Sequence, residues 1–191
     1  MKKLVSVLFI VLALGVSLNA QTSGQMRIGG QVGIAIPMGG DISNVYSTGF
    51  NINGLFIYHL QPQIDLTGHI GYMRLGAKES GVDAHFSTVP FLVGARYNFP
   101  TSSSFAPYAG AELGLFFSSS SATVTYDFGF FGSGSQTVSA SSTDFGFVPA
   151  AGFTYPLTPS LLLDVNAKFN IIAASGAGTI FGINAGVTYG L

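Results

Sequence analysis

From Gln21 to the C-terminus the hydrophobic positions recur at every second residue. The last eleven residues show it most clearly. Phe181, Ile183, Ala185, Val187, Tyr189 and Leu191 are apolar, and Gly, Asn or Thr stand between them. Such alternation marks a strand with two unlike faces. Leu161 to Ile171 repeats it, with Asp164, Asn166, Lys168 and Asn170 on the polar face. The same phase runs through Val89–Phe99, Phe105–Phe117 and Phe145–Tyr155, and through Ile64–Tyr72, Phe50–His59 and Arg27–Ile36. In the last two, Leu55, Ile57 and Ala35 fall on the polar face. The pattern predicts eight strands of roughly ten residues, the length a tilted membrane strand needs.

The connections alternate in length. Gln61-Pro62-Gln63, Pro100–Ser104 and Pro156–Ser160 are tight and carry proline, which fixes φ and ends a ladder. Met38–Thr48, Gly76–Phe86, Ser118–Ser142 and the shorter Ala173–Gly178 lie at the opposite end. Short periplasmic turns and longer external loops are the pattern of an outer-membrane barrel. The outward aromatics sort by height. Tyr58, Tyr97, Phe99, Phe105, Tyr155 and Tyr189 mark the tight-turn end, and Phe50, Tyr72, Phe117, Phe145 and Phe181 the loop end. These read as two interfacial belts. The predicted fold is therefore all-β: an eight-stranded antiparallel up-and-down transmembrane β-barrel, preceded by a cleavable signal peptide. A soluble sandwich would need a polar outward face. Phe169–Leu191 has no charge and contains Gly182-x-x-x-Gly186, a spacing used by membrane helices. Asn170, Asn184 and the alternation favour a strand there.

Composition changes the picture at the N-terminus. Lys2 and Lys3 precede an apolar run, Leu4–Val16, and Ser17-Leu18-Asn19-Ala20 ends on a small residue. This is the layout of a secretory signal. Residues 1–20 are expected to be removed, leaving 21–191 as one barrel domain. Charged residues are 8% of the chain and cysteine is absent. The first is too few to cover a soluble surface, and the second removes disulfides, thiolate metal sites and Cys nucleophiles. No basic stripe suits nucleic acid.

The C-terminal strand resembles that of OmpA/OmpX-like small outer-membrane barrels. Leu191 takes the final apolar place, where the family usually has Phe; Tyr189 takes the aromatic place before it, and Val187, Ala185 and Ile183 continue the face. "VPFLVGARYNF" and "PYAGAELG" resemble the family's central hairpin. The resemblance covers about Gln25–Leu191. It implies insertion by the outer-membrane assembly machinery, which reads the last strand. It implies no substrate, since small barrels host unrelated activities.

The inward phase collects Arg27, Arg96 and Lys168 with Asp65, Glu112 and Asp164. Enclosed ions need partners, so a lumen network is expected, with Arg96 and Glu112 in contact near its middle. It reads either as an ion path or as a polar plug, and the narrow bore of eight strands favours the plug. The Ser118–Ser142 loop carries Tyr126, Phe128, Phe130 and Phe131, and reads as a hairpin prolonging the fifth and sixth strands. An aromatic tip suits a partner, while the Ser/Gly composition suits a tolerated loop. Arg74, outward above Tyr72, reads as a phosphate contact or a solvated charge. His85-Phe86-Ser87 has the His-x-Ser spacing of lipid A deacylases, but the next acid, Glu112, faces the lumen. No phosphate loop or metal cluster is apparent, and His59 and His69 read as plug residues. The expectation is a non-enzymatic barrel, without cofactor or metal, with a structural or adhesion-like role. A small pore is the alternative, and a lipid A-modifying enzyme a third reading. Its partners would be outer-membrane lipid, the assembly machinery and an extracellular protein; a monomer is expected.

Overall fold

The computed structural model describes residues 24–78, 83–127, 133–173 and 178–191, with the backbone alone at 41, 83, 124–127 and 133. The predicted signal segment, 1–20, lies outside them. The strands are β1 (Met26–Met38), β2 (Gly49–Gln61), β3 (Ile64–Gly76), β4 (Asp83–Asn98), β5 (Ala106–Asp127), β6 (Ser133–Pro156), β7 (Leu161–Ile172) and β8 (Thr179–Gly190). Each pairs antiparallel with its chain neighbours, and β1 pairs with β8 from Arg27↔Gly190 to Met38↔Thr179. That last ladder closes the barrel, so no sheet edge meets lipid. No helix among the described residues is long and apolar enough to cross a membrane, and Phe169–Leu191 forms the end of β7 and β8.

Alternation decides which way each side chain points. Phe116 and Phe117 are adjacent and chemically identical; Phe116 is 0% exposed inside the barrel and Phe117 is 47% exposed on its wall. The wall is apolar along its length, with Ile52, Ile70, Phe91 and Val93 all more than half exposed. In water such a surface would cost roughly 25 cal/mol per Å2. In a bilayer it is the favoured contact. Aromatic pairs stand in both belts: Tyr97 against Phe99 at 5.2 Å, Phe105 against Phe153 at 4.2 Å, Phe50 against Tyr72 at 6.3 Å and Phe169 against Phe181 at 4.8 Å.

Proline and glycine tune the wall. Pro90 cannot donate to β3, and the β3–β4 ladder skips from Ile70↔Phe91 to Met73↔Thr88 without changing register. Gly146 leaves room for the Phe116 ring; a Cβ there would collide with it.

Two connections differ from the sequence reading. The loop after β1 contains a short helix, α1 (Gly40–Val45), entered through Gly39 and Gly40 at φ 67° and 62°. A side chain is disfavoured at both positions. The connection expected over Gly76–Phe86 is shorter, because β4 begins at Asp83. The tight turns stand where proline predicts them, and the β5–β6 ladder continues through Ser118↔Ser142 to Asp127↔Ser133.

Candidate functional site: the filled lumen

Every strand except β6 sends a hydrogen-bonding side chain into one network in the lower, tight-turn half of the lumen. β6 contributes small inward residues such as Ala150 and Gly152, which leave room for the long side chains opposite. Arg96 sits at the centre. Its Nε donates to Asp65 Oδ2 at 2.8 Å and its Nη1 to Asp164 Oδ2 at 3.1 Å. Its guanidinium also lies 4.6 Å from the Tyr108 ring centroid, a cation–π distance. Asp164 Oδ1 accepts from Gln31 Nε2 at 2.7 Å, Tyr108 Oη at 2.8 Å and Asn166 Nδ2 at 3.1 Å. Asp65 also meets His59 Nδ1 at 2.5 Å and accepts from Asn98 Nδ2 at 2.8 Å. Both carboxylates are buried, and both oxygens of each are engaged by polar partners. That is the condition under which a buried ion can persist.

A second ion pair lies higher. Lys168 Nζ donates to Glu112 Oε2 at 3.2 Å and to His69 Nδ1 at 2.8 Å. An ammonium has no acceptor, so the His69 proton stands on Nε2 and is donated to Asn53 Oδ1, 3.0 Å away. An amide chain carries the sequence onward. Asn53 Nδ2 donates to Asn184 Oδ1 at 3.4 Å, Asn184 Nδ2 to Asn166 Oδ1 at 2.9 Å, and Asn166 Nδ2 to Asp164. The chain begins at a cation and ends on a carboxylate, which fixes the direction of every amide between them. Such a network holds register across strands that are remote in sequence.

The expected Arg96–Glu112 contact is not made. Arg96 is the Cα partner of Asp65 on β3 and of Gly110 on β5, while Glu112 stands opposite Gly94. Glu112 is one inward step too high, and Lys168 reaches it instead. Arg27 is also apart. It donates to the Ser160 carbonyl at 3.0 Å and to the Thr188 hydroxyl and carbonyl at 3.4 Å, and meets no carboxylate among the described residues. Among the described residues, Gln31 Oε1 and Thr67 Oγ1 are buried without a hydrogen-bond partner. Both residues line an internal cavity of about 30 Å3, room for a water molecule or two.

The upper half of the lumen carries no charge among the described buried side chains and is mainly apolar, with Asn51, Thr88, Ser118 and Asn170 as its buried polar groups. Met73, Leu75, Leu92, Phe116, Val148, Ile172 and Ile180 fill it, and Ile42 of α1 closes it from above. Tyr46 and Phe86 pack against this cluster, 5.8 Å apart. The loop that carries Ile42 is tied down by Ser47 N–H to the Gly76 carbonyl, Lys78 N–H to the Val45 carbonyl and Lys78 Nζ to the Ser43 carbonyl. The charged inward residues predict a polar plug, and this apolar layer lies above it. The apolar ones share their phase, and counting them strand by strand would have exposed the second layer.

The remaining candidates separate. His85 and Ser87 share the outward face of β4, whereas Glu112 is bound to Lys168 inside, so the three do not meet. His59 and His69 are engaged in the network, and among the described residues no group of His, Asp and Glu could hold a metal ion. Ile183, Ala185, Val187, Tyr189 and Leu191 all point outward at the β8 end. The Tyr126 backbone pairs with Gly134; Phe128, Phe130 and Phe131 lie outside the described residues.

A closed antiparallel barrel with an apolar wall, two aromatic belts and a filled lumen defines an integral membrane barrel of the outer-membrane class. The family model described as "Outer membrane protein beta-barrel domain" matches residues 6–190, and the chain belongs to that family. It is a transmembrane protein of the Gram-negative outer membrane. Among solved structures, it is similar to Neisserial surface protein A at 19% identity and TM-score 0.59, covering 88% of this chain and 99% of that one. Ail of Yersinia pestis is similar at 14% identity and TM-score 0.53, with coverages of 90% and 100%. OprG of Pseudomonas aeruginosa has 14% identity and TM-score 0.53, with coverages of 88% and 96%. These likenesses concern the fold. Among curated proteins none matches the chain.

Proposed function

We propose that this protein is a closed, non-enzymatic barrel that acts at the cell surface through its β5–β6 hairpin. The observation that carries the reading is the filled lumen. A charged network and an apolar stopper follow one another along the axis, and an ion crossing both would have to break pairs and then shed its water. The separation of His85 and Ser87 from Glu112, which is bound to Lys168 inside the barrel, supports the non-enzymatic part.

The hairpin supports the interaction part. β6 pairs with β7 from Gly146↔Ile172 downward, and Ala173 N–H reaches the Phe145 carbonyl. Above Phe145, among the described residues, β6 pairs with β5 alone. Its other edge offers a row of backbone donors and acceptors, a template for an extended segment of another protein. Ser, Thr, Gly and Gln dominate Ser133–Thr143, so recognition there rests on backbone more than on charge. An extracellular protein with an extended segment is the partner this edge suits.

Deleting Ser119–Ser141 tests the reading. Cells bearing the deletant are expected to lose attachment to host surfaces while the barrel still folds; unchanged attachment would end the adhesion reading. In a planar bilayer the refolded protein is expected to be silent. Reproducible conductance steps altered by Arg96→Ala would favour a pore instead.

A further inference from the structure

The lipid-facing wall is not uniform. On β2–β4 an apolar groove of about 390 Å3 is bordered by Phe56, Ile70, Phe91 and Val93 and floored by Gly54 and Gly68. Packing does not demand these two glycines. A Cβ at Gly54 would meet Ile70 Cγ2 at 3.5 Å, and one at Gly68 would meet Phe56 Cβ at 3.7 Å, both ordinary contacts. At the inward Gly110, by contrast, a Cβ would run into the Arg96 backbone at 2.8 Å. The groove is therefore open although a side chain could fill it.

Its depth is set by the belts. Gly54 lies midway along β2 between Phe50 of the upper belt and Tyr58 of the lower. Arg74 stands above it on the outward face of β3, exposed, with Phe50 and Ser87 as its Cα partners. It is the only charged side chain on the outward positions of β1, β2 and β3, and it takes part in none of the ion pairs among the described residues. From Gly68 to Arg74 the strand climbs ~20 Å at ~3.3 Å per residue, or ~15 Å along the membrane normal at a tilt of ~40°. That is half of a hydrocarbon core of ~30 Å. With Arg74 at the headgroup boundary, the groove sits where an acyl chain of the outer leaflet ends.

The geometry points to a lipid site: the outer face of β2–β4 holds one phosphorylated glycolipid of the outer leaflet, lipid A, with its phosphate on Arg74 and one acyl chain seated over Gly54 and Gly68. A guanidinium matches phosphate bidentately, and the groove continues the lipid-facing wall. The outer leaflet is selected because Arg74 is at the loop end of its strand.

The test uses the refolded protein in phosphatidylcholine nanodiscs doped with lipid A, with dephosphorylated lipid A, or with phosphatidylglycerol. Lipid retained on the protein after release is counted by native mass spectrometry, and heat-modified gel migration verifies folding. The wild type is expected to keep one lipid A and to keep the other two at least about tenfold less, the scale of one charge-assisted contact. Arg74→Gln and the double variant Gly54→Leu/Gly68→Leu are each expected to lose lipid A by a similar factor. Retention unchanged in Arg74→Gln, or unchanged when the groove is filled, overturns the site. Equal retention of phosphatidylglycerol or of the dephosphorylated lipid overturns it too, because the wall would then hold bulk lipid without selection.

Discussion

The lower and upper halves of the lumen close the same bore by opposite means. Below, Arg96, Asp65 and Asp164 are enclosed with their hydrogen bonds satisfied. Above, Phe116, Leu92, Ile180 and their neighbours fill space with apolar side chains, and the few uncharged polar groups among them bond locally, Ser118 to Thr88 and Asn170 to the Ile180 carbonyl. The difference is one of tolerance. An apolar layer loses in proportion to the volume removed. A network of ions loses far more when one member goes, because the partners remain charged and buried. The lower half therefore specifies register strictly, and the upper half seals.

The largest effect is expected at Asp164. Asp164→Ala leaves Arg96 with one carboxylate fewer and strands the Gln31, Tyr108 and Asn166 donors, a loss of about 4–5 kcal/mol in urea unfolding from bilayers. A loss below 1 kcal/mol would mean that water enters the lower lumen freely. Next is the adjacent pair in β5. Phe116→Ala removes transfer energy and leaves a cavity, about 3–4 kcal/mol, whereas lipid flows in where Phe117→Ala is made, leaving a transfer loss of about 2 kcal/mol. Equal losses would show the upper lumen to be as fluid as the bilayer.

A smaller effect sharpens the contrast. Lys168→Met alone should cost about 3 kcal/mol by leaving Glu112 buried and unpaired, and adding Glu112→Leu should bring stability back to within about 1 kcal/mol of wild type. A double-mutant cycle without that recovery would break the distinction between the halves. The smallest is Thr67→Val. Its hydroxyl makes no well-formed hydrogen bond to protein among the described residues, so stability should move by less than about 0.5 kcal/mol in the same assay.

Much of this was legible beforehand, for reasons particular to the residues. The charged inward positions Arg27, Asp65, Arg96, Glu112, Asp164 and Lys168 stand in one phase, and a strand's period of two places them on one side of the wall. Their pairing was not legible. Arg96 binds Asp65 because β3 and β4 bring those Cα atoms opposite each other, and Asp164 reaches Arg96 across the bore from β7. No local pattern encodes a contact between residues 68 positions apart. The amide chain Asn53–Asn184–Asn166 was hidden for the same reason: in isolation each Asn is a polar residue on an inward face. Ile42 was hidden differently, since α1 is short and its single buried apolar residue has no periodic company.

The sequence by itself determined the number of strands, the facing of their residues and the placement of the tight turns, because alternation and proline act within a few residues of themselves. It also determined that the outer wall would prefer lipid, because wall residues are counted one strand at a time. Only the tertiary structure decided which charge meets which, where the polar lumen gives way to an apolar stopper, and that Gly54 and Gly68 open a groove below Arg74. Those depend on closure. Once β1 meets β8, the heights of eight strands are fixed relative to one another, and inward residues far apart in the chain become neighbours.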